Sequence, residues 1–333
     1  MTKKVLMTIC GVFFLLMSVG ESQAVQIKLA TVAPEGSLWM EGMRRGAEEI
    51  KKRTGGRVQI KLFGGGVMGN ENSVLRKIRI GQLQGGAFTA GGLSNVCADL
   101  RLYGLPMVFH SLDEVDYVRA RMDQVLLAEM AKAGFVSFGF GEGGFALLMS
   151  HEPVRSLKDM KGKKVWIPAD DRISEVAMKH LGLSPVVLPI TDVLTGLQTG
   201  LLDIVETSPI GAIAFQWHVK TRYITDAPLA YIFATLVIDK RVFDKIEPAD
   251  GEILREVMTR IYKEFDRQNR ADNEAALAAL LKQGLKIVQP ADGELTLWRE
   301  KADQVNRGLE KEGAFTPALY HQLLGHLAEF RKK

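Results

Sequence analysis

The order of strand-like and helix-like segments constrains this chain more than any motif. Val25–Val32 places Val25, Ile27 and Leu29 on one side with polar partners between them, the two-residue period of a strand. Pro34-Glu35-Gly36 makes a turn, and Ser37 can cap a helix from about Leu38 to Arg53 with Met40, Met43, Ala47 and Ile50 on one face. Thr54-Gly55-Gly56 ends that helix, Arg57–Phe63 reads as a second strand, and Gly64–Gly66 as a loop. A helix from about Asn70 to Ile80 and a strand near Leu83–Thr89 follow. A β-α-β-α-β order implies an α/β fold with mostly parallel sheet and helices on its faces.

The pattern repeats further on. Phe135–Phe140 and Phe145–Ser150 read as apolar strands on either side of Gly141–Gly144. A second α/β unit runs through Lys164–Pro168, a helix near Ile173–Leu181, and Pro185–Leu188. Thr191–Thr199 reads as a helix, with Leu201–Val205 and Ala234–Ile238 as strands. From Ala249 the period changes: Ile253, Val257, Ile261 and Phe265 recur every four residues after Asp250, a candidate cap, in one helix reaching about Gln283. Ile287–Pro290 interrupts it, and two amphipathic helices finish the chain. Pro-Ala-Asp-Gly at 248–251 and again at 290–293 is helix-start chemistry. No low-complexity linker separates the parts, so two lobes would be joined by strands and helices crossing between them.

Lys3 and Lys4, an apolar run from Val5 to Val19, and Ser22-Gln23-Ala24 have the build of a secretory leader cut after Ala24. The run is short of the ~20 residues a spanning helix needs. An uncleaved anchor is the alternative. A periplasmic protein beginning near Val25 is the expectation. The remainder, about 310 residues, can bury a large core. The net charge of +4 is small for 333 residues and the charges are interspersed, which gives no reason to expect nucleic acid. Cys10 falls within the leader and lacks a small residue before it, so it is a poor lipid-attachment site. Cys97 is then alone, as a buried structural thiol or a reactive one.

Several motifs fail on context. Gly139-Phe140-Gly141-Glu142-Gly143-Gly144 fits G-x-G-x-x-G, but a strand follows where a dinucleotide site needs a helix. Gly64–Gly66 lacks the Lys-Ser/Thr of a phosphate loop. His321 and His326 are five apart, off the spacing of helical metal ligands. Asp170-Asp171 reads as a loop or cap before a catalytic pair. No nucleophile–base–orienter set, metal set or cofactor motif is visible, so an enzyme is not expected.

The run IKLATVAPEGSLW…VQIKLFGGGVMG from Ile27 to Gly69 resembles the start of the substrate-binding proteins of tripartite ATP-independent periplasmic (TRAP) transporters, of the dicarboxylate-binding (DctP-like) type. Further pieces follow in order. IRIGQLQGGAFTAGGLS (78–94) is similar to the loop at the family's third strand, and LYGLPMVFHSLDE (102–114) to its LPFLF element. SLKDMKGKKVWIPADD (156–171) is similar to DLKGLKIRVP, and LQTGLLDIVETSP (197–209) to LQTGAVDGQENP. The resemblance implies two α/β lobes hinged around a ligand cleft and bridged by a long helix. It suggests lobe I from 25–145 with about 236–270, and lobe II from 146–235 with about 271–333, after the leader 1–24. Membrane permease subunits would read the ligand-closed form.

The departures point to the ligand. Where the family carries an arginine for the ligand carboxylate in K-I-R-V-P, this chain has Trp166, followed by Pro168. A second family arginine aligns with Ala146, an aromatic with Ile190, and the asparagine of G-Q-E-N with Thr207, while Glu71 is retained. A carboxylate buried without a partner is costly. The expected ligand is therefore not a simple mono- or dicarboxylate but an apolar, aromatic or amphipathic molecule stacked on Trp166 with Phe88 nearby. Glu71 and Asp170 would accept hydrogen bonds from a hydroxyl or cationic part, with Thr89 also at the cleft. Trp166 could instead pack between lobes, Glu71 could serve the helix start at Asn70, and Trp39 and Trp217 are expected in lobe packing. A ligand sensor, or an adaptor to a partner lipoprotein, is the alternative to transport.

Overall fold

The computed structural model describes residues 24–169 and 171–332. Residues 1–23 of the expected leader, Cys10 among them, and the candidate Asp170 lie outside the described residues. No helix among the described residues is long and apolar enough to cross a membrane.

The first units form as their periods require. β1 (Val25–Ala30), α1 (Leu38–Arg53), β2 (Val58–Phe63), α2 (Glu71–Arg79) and β3 (Gly85–Thr89) follow in order. β1 pairs in parallel with β2 from Val25↔Val58 to Ala30↔Phe63, and with β3 at Leu29↔Gly85. The Ser37 hydroxyl accepts from the Met40 amide at 3.3 Å, and Met40, Met43, Ala47 and Ile50 are buried on one face of α1. After a turn at Ala98–Gly104 come α3 (Leu112–Lys132), β4 (Phe135–Ser137) and β5 (Gly141–Ser150). The second unit supplies β6 (Trp166–Pro168), α4 (Arg172–His180), β7 (Val186–Leu188), β8 (Ile204–Thr207) and α5 (Pro209–Ala214). β9 (Tyr223–Asp239), α6 (Pro248–Lys282), β10 (Lys286–Val288), α7 (Glu294–Lys311) and α8 (Pro317–Arg331) complete the chain.

β9 is 17 residues long and belongs to both lobes. Its last third pairs with β3 and β4, while its start pairs with β10 and with the end of β5. Lobe I thus carries β2-β1-β3-β9-β4. In lobe II β9 pairs with β5 and β5 with β8, and a bridge between Val165 and Ile204 brings the β6–β7 pair alongside. β5 also crosses between the lobes, so the glycines at 141–144 do not separate two strands. They lie inside one, with a register shift between Glu142 and Gly144. Gly144 has φ +86°, and a Cβ there would sit 2.9 Å from Asn273 Nδ2.

α6 is the third crossing element. At 35 residues it is about 52 Å long. Its first half buries Leu254, Val257, Ile261 and Phe265 in the lobe I core. Leu280, near its end, is buried in a lobe II cluster with Trp166 and Trp217. Between these, the polar residues of α6 grip the glycine-rich part of β5. Asp266 accepts from the Glu142 amide at 3.0 Å, Asn269 donates to the Glu142 carbonyl, and Asn273 donates to the Gly143 carbonyl at 3.2 Å. Arg270 pairs with both oxygens of the buried Glu142 side chain and with Asp116. Arg119 completes this network by donating to Tyr231, Asp266, Asp123 and the Phe140 carbonyl. Paired in this way, the charges can be buried at the crossing without the penalty of an isolated ion.

The end of the chain departs from the expected lobe boundary. α8 buries Tyr320, Leu323 and Leu327 in the lobe I cluster beside Val115, Met122 and Leu126 of α3. Arg331 pairs with Glu114, and Thr316 donates to Asp99 through both its amide and its hydroxyl. α7 is shared, with Trp298 and Ala302 in a lobe II cluster and Val305 and Leu309 in the lobe I cluster. Assigning all of 271–333 to lobe II is therefore corrected: the chain returns across α7 because the apolar face of α3 needs a cover.

Candidate functional site

Between the lobes lies a cleft of about 340 Å³. Its walls are the ends of β3, β6 and β8, the start of α2, the 98–104 turn, and the crossing parts of β5 and β9. Of the sequence candidates, Glu71, Phe88, Thr89, Ala146, Trp166, Pro168, Ile190 and Thr207 line this one space. Trp39 and Trp217 line it as well.

Their chemistry differs from residue to residue. Asn70, not Glu71, caps α2, its side chain accepting from the Ser73 amide at 3.0 Å. Glu71 reaches across to the end of β3 and accepts from the Thr89 amide at 2.6 Å and the Thr89 hydroxyl at 3.0 Å. It lies so close to Gly92 that a Cβ there would stand 2.5 Å from the carboxyl carbon. Thr89 in turn caps the short helix 90–93 by accepting from the Gly92 amide. Asp171 caps α4, accepting from the amide and hydroxyl of Ser174.

The aromatic candidates are less available than the sequence implies. Trp166 is 3% exposed, its ring meets Trp217 edge-on with centroids 5.0 Å apart, and its Nε1 donates to the Leu188 carbonyl at 2.9 Å. That bond fixes the ring in lobe II, so the expected stacking platform offers the cleft only a narrow strip. Phe88 is 1% exposed and belongs to the lobe I core. Trp39 stacks on Phe265 at 6.1 Å. Ala146 faces Ala230 in register across β5 and β9, which leaves that part of the cleft open.

Two residues escaped the sequence reading. Arg101, in the 98–104 turn, lines the cleft half-buried. It donates to the Ala314 carbonyl at 3.0 Å and has no carboxylate within salt-bridge distance among the described residues. Burial lowers its pKa from the ordinary arginine value. Glu206, on β8, also faces the cleft, and no described residue donates a hydrogen bond to its carboxyl. Apolar surroundings, with the Asp171 charge nearby, push it up to about 7. Both were signalled only by a charge embedded in an apolar run, at Leu100-Arg101-Leu102 and at Ile204-Val205-Glu206. The described lining thus holds three carboxyl groups, Glu71, Asp171 and Glu206, against the single guanidinium of Arg101.

Comparison with known proteins places this geometry. The C4-dicarboxylate-binding periplasmic protein DctP of Rhodobacter capsulatus is 22% identical over 302 residues, 89% of this chain and 90% of that protein. A TRAP periplasmic solute-binding protein from Xanthobacter autotrophicus Py2, solved with bound β-D-galacturonate, superposes with a TM-score of 0.83 at 23% identity, covering 91% of this chain and 99% of that one. Another from Ralstonia eutropha H16, with bound (S)-2-acetolactate, gives 0.84 at 22% identity over 92% and 99% of the two chains. These superpositions show the shared two-lobed fold. The profile of DctP, bacterial extracellular solute-binding protein family 7, matches residues 29–312. A match of that extent, on a chain folded as two lobes about one cleft, makes this protein a member of the bacterial extracellular solute-binding protein family 7 and a solute-binding receptor.

Proposed function

We propose that this receptor captures an uncharged or cationic amphipathic molecule in its interlobe cleft and delivers it to a TRAP-type membrane permease. It works in the periplasm, after a leader cut near Ala24, and has no enzymatic role. Glu71, Phe88, Thr89, Ala146, Trp166, Pro168, Asp170, Ile190 and Thr207 remain the proposed ligand positions, now with Arg101 and Glu206. The excess of carboxyl groups over cations in the cleft carries the ligand reading. A dicarboxylate would add two negative charges to a site with one guanidinium, whereas a hydroxyl or ammonium group finds acceptors. The apolar positions at Ala146, Trp166 and Ile190 suit the rest of such a molecule.

One observation favours a second reading. Arg101 has no carboxylate within salt-bridge distance among the described residues and could anchor a ligand carboxylate in the cleft. Native mass spectrometry of the protein taken from the periplasm, with titrations of succinate and galacturonate, separates the two. The first reading expects a carried amphipathic molecule and no tight binding of either acid. Tight succinate binding that survives Trp166→Ala and is lost in Arg101→Met would replace it with the second. A sensor or lipoprotein-adaptor role would show as ligand-dependent capture of a partner other than permease subunits.

A further inference from the structure

Beside the cleft, between lobe II and the 104–107 segment, is a second cavity of about 100 Å³. Met107, Leu148, Leu157, Met160, Met178 and Trp298 form most of its wall. It shares Gly104, Ser174, Glu206 and Ala230 with the cleft, so it is an extension of the cleft, not a separate void. Ala230 faces Ala146 across the sheet, and neither side chain extends beyond Cβ to close the opening. Glu206 stands at the junction, with no donor from the described residues.

Its wall is mostly apolar, with Ser174, Glu206 and Lys301 as the polar members, so carbon entering it gains burial and close contact. A cavity of ~150 Å³ takes a benzene ring, which leaves room here for about four carbon atoms. We propose that this cavity is a subsite for the apolar end of the ligand, a straight or branched alkyl group, while Glu206 at its mouth accepts a hydrogen bond from the adjoining hydroxyl or ammonium group. The assignment rests on the cleft being the ligand site. The position of Glu206 fits it: a carboxyl held up to about 7 by apolar burial is relieved when a ligand brings a donor.

The test is a titration of the exported chain, freed of carried ligand, with 1-alkylamines and 1-alkanols from propyl to octyl, followed by amide chemical shifts. Affinity is expected to rise about fourfold for each methylene and to stop rising near butyl or pentyl, where the cavity is full. Ala302 and Met178 line the cavity and not the cleft. Ala302→Leu should move the break to a shorter chain and Met178→Ala to a longer one. If Ala302→Leu does not fold, the Met178→Ala shift decides alone. Propylamine or propanol binding with a flat series, or a break that neither variant moves, overturns the subsite and leaves the cleft standing. No binding by any member overturns both the subsite and the hydroxyl-or-ammonium reading of the cleft.

Discussion

Replacing Glu206 by glutamine should stabilise the ligand-free protein by an amount that grows as pH rises from about 4.5 to about 7 and then holds. Folding raises the Glu206 carboxyl from 4.5 to about 7, first through burial and then through Asp171. The folded state therefore holds a proton between those values that the unfolded chain has released. Stability falls as pH rises through this window and stays lowered above it. The full shift corresponds to about 3 kcal/mol at 1.36 kcal/mol per unit. The carboxyl opens on one side to the cleft, where water reaches it, which reduces the expected penalty to about 2 kcal/mol. Glutamine keeps the shape and removes the charge. With an unfolding entropy of about 2.1 cal/mol/K per residue, 2 kcal/mol moves the Tm by about 3 °C for a chain of this length. Unfolding followed by circular dichroism from pH 4 to 8.5, on both proteins after removal of carried ligand, measures the difference directly. It should be near zero at pH 4.5 and grow to its full value by pH 8. A difference independent of pH, or one favouring the wild type at pH 8, would refute the claim that this carboxyl sits half-buried without a partner.

Three further outcomes are expected. Gly92→Ala drives a Cβ into the Glu71 carboxyl, so it should cost about 1–3 kcal/mol in urea unfolding and weaken ligand binding through the displaced Glu71–Thr89 pair. Leu323→Ala, at a fully buried position of α8, should cost about 2–5 kcal/mol, with the loss of amide-exchange protection concentrated in α3 and α8. Gly144→Ala combines a left-handed backbone with crowding against Asn273. It should destabilise by about 1–3 kcal/mol and alter the ligand-induced change in radius of gyration measured by small-angle scattering.

The α/β order of lobe I was legible because each element has its own period and cap: strand 25–32, helix 38–53 and strand 57–63 correspond to β1, α1 and β2 within two residues. The bridging helix was legible from the four-residue spacing of Ile253, Val257, Ile261 and Phe265, and it runs on to Lys282 through the polar stretch that holds β5. α3 could have been read as well, since Val115, Val118, Met122, Leu126 and Met130 fall three or four apart after the Ser111 cap. β9 could not be read whole. Asp226 and Pro228 interrupt its apolar pattern, and it changes partners midway, so only its lobe I end looks like a strand. The site was half legible. Resemblance located the chain segments that meet at the cleft. Whether a tryptophan shows its face or its edge depends on the Leu188 carbonyl and on Trp217, which no local pattern encodes. Arg101 and Glu206 acquire their character from burial by distant segments, and that information exists only in the folded chain.

The return of α8 to lobe I also bears on how the protein is made. The apolar face of α3 is covered by residues 317–331, and the Asp99–Thr316 and Glu114–Arg331 contacts join segments more than two hundred residues apart. A chain synthesised only as far as residue 316 lacks this cover. Lobe I completes its core only when α8 has been made and has docked.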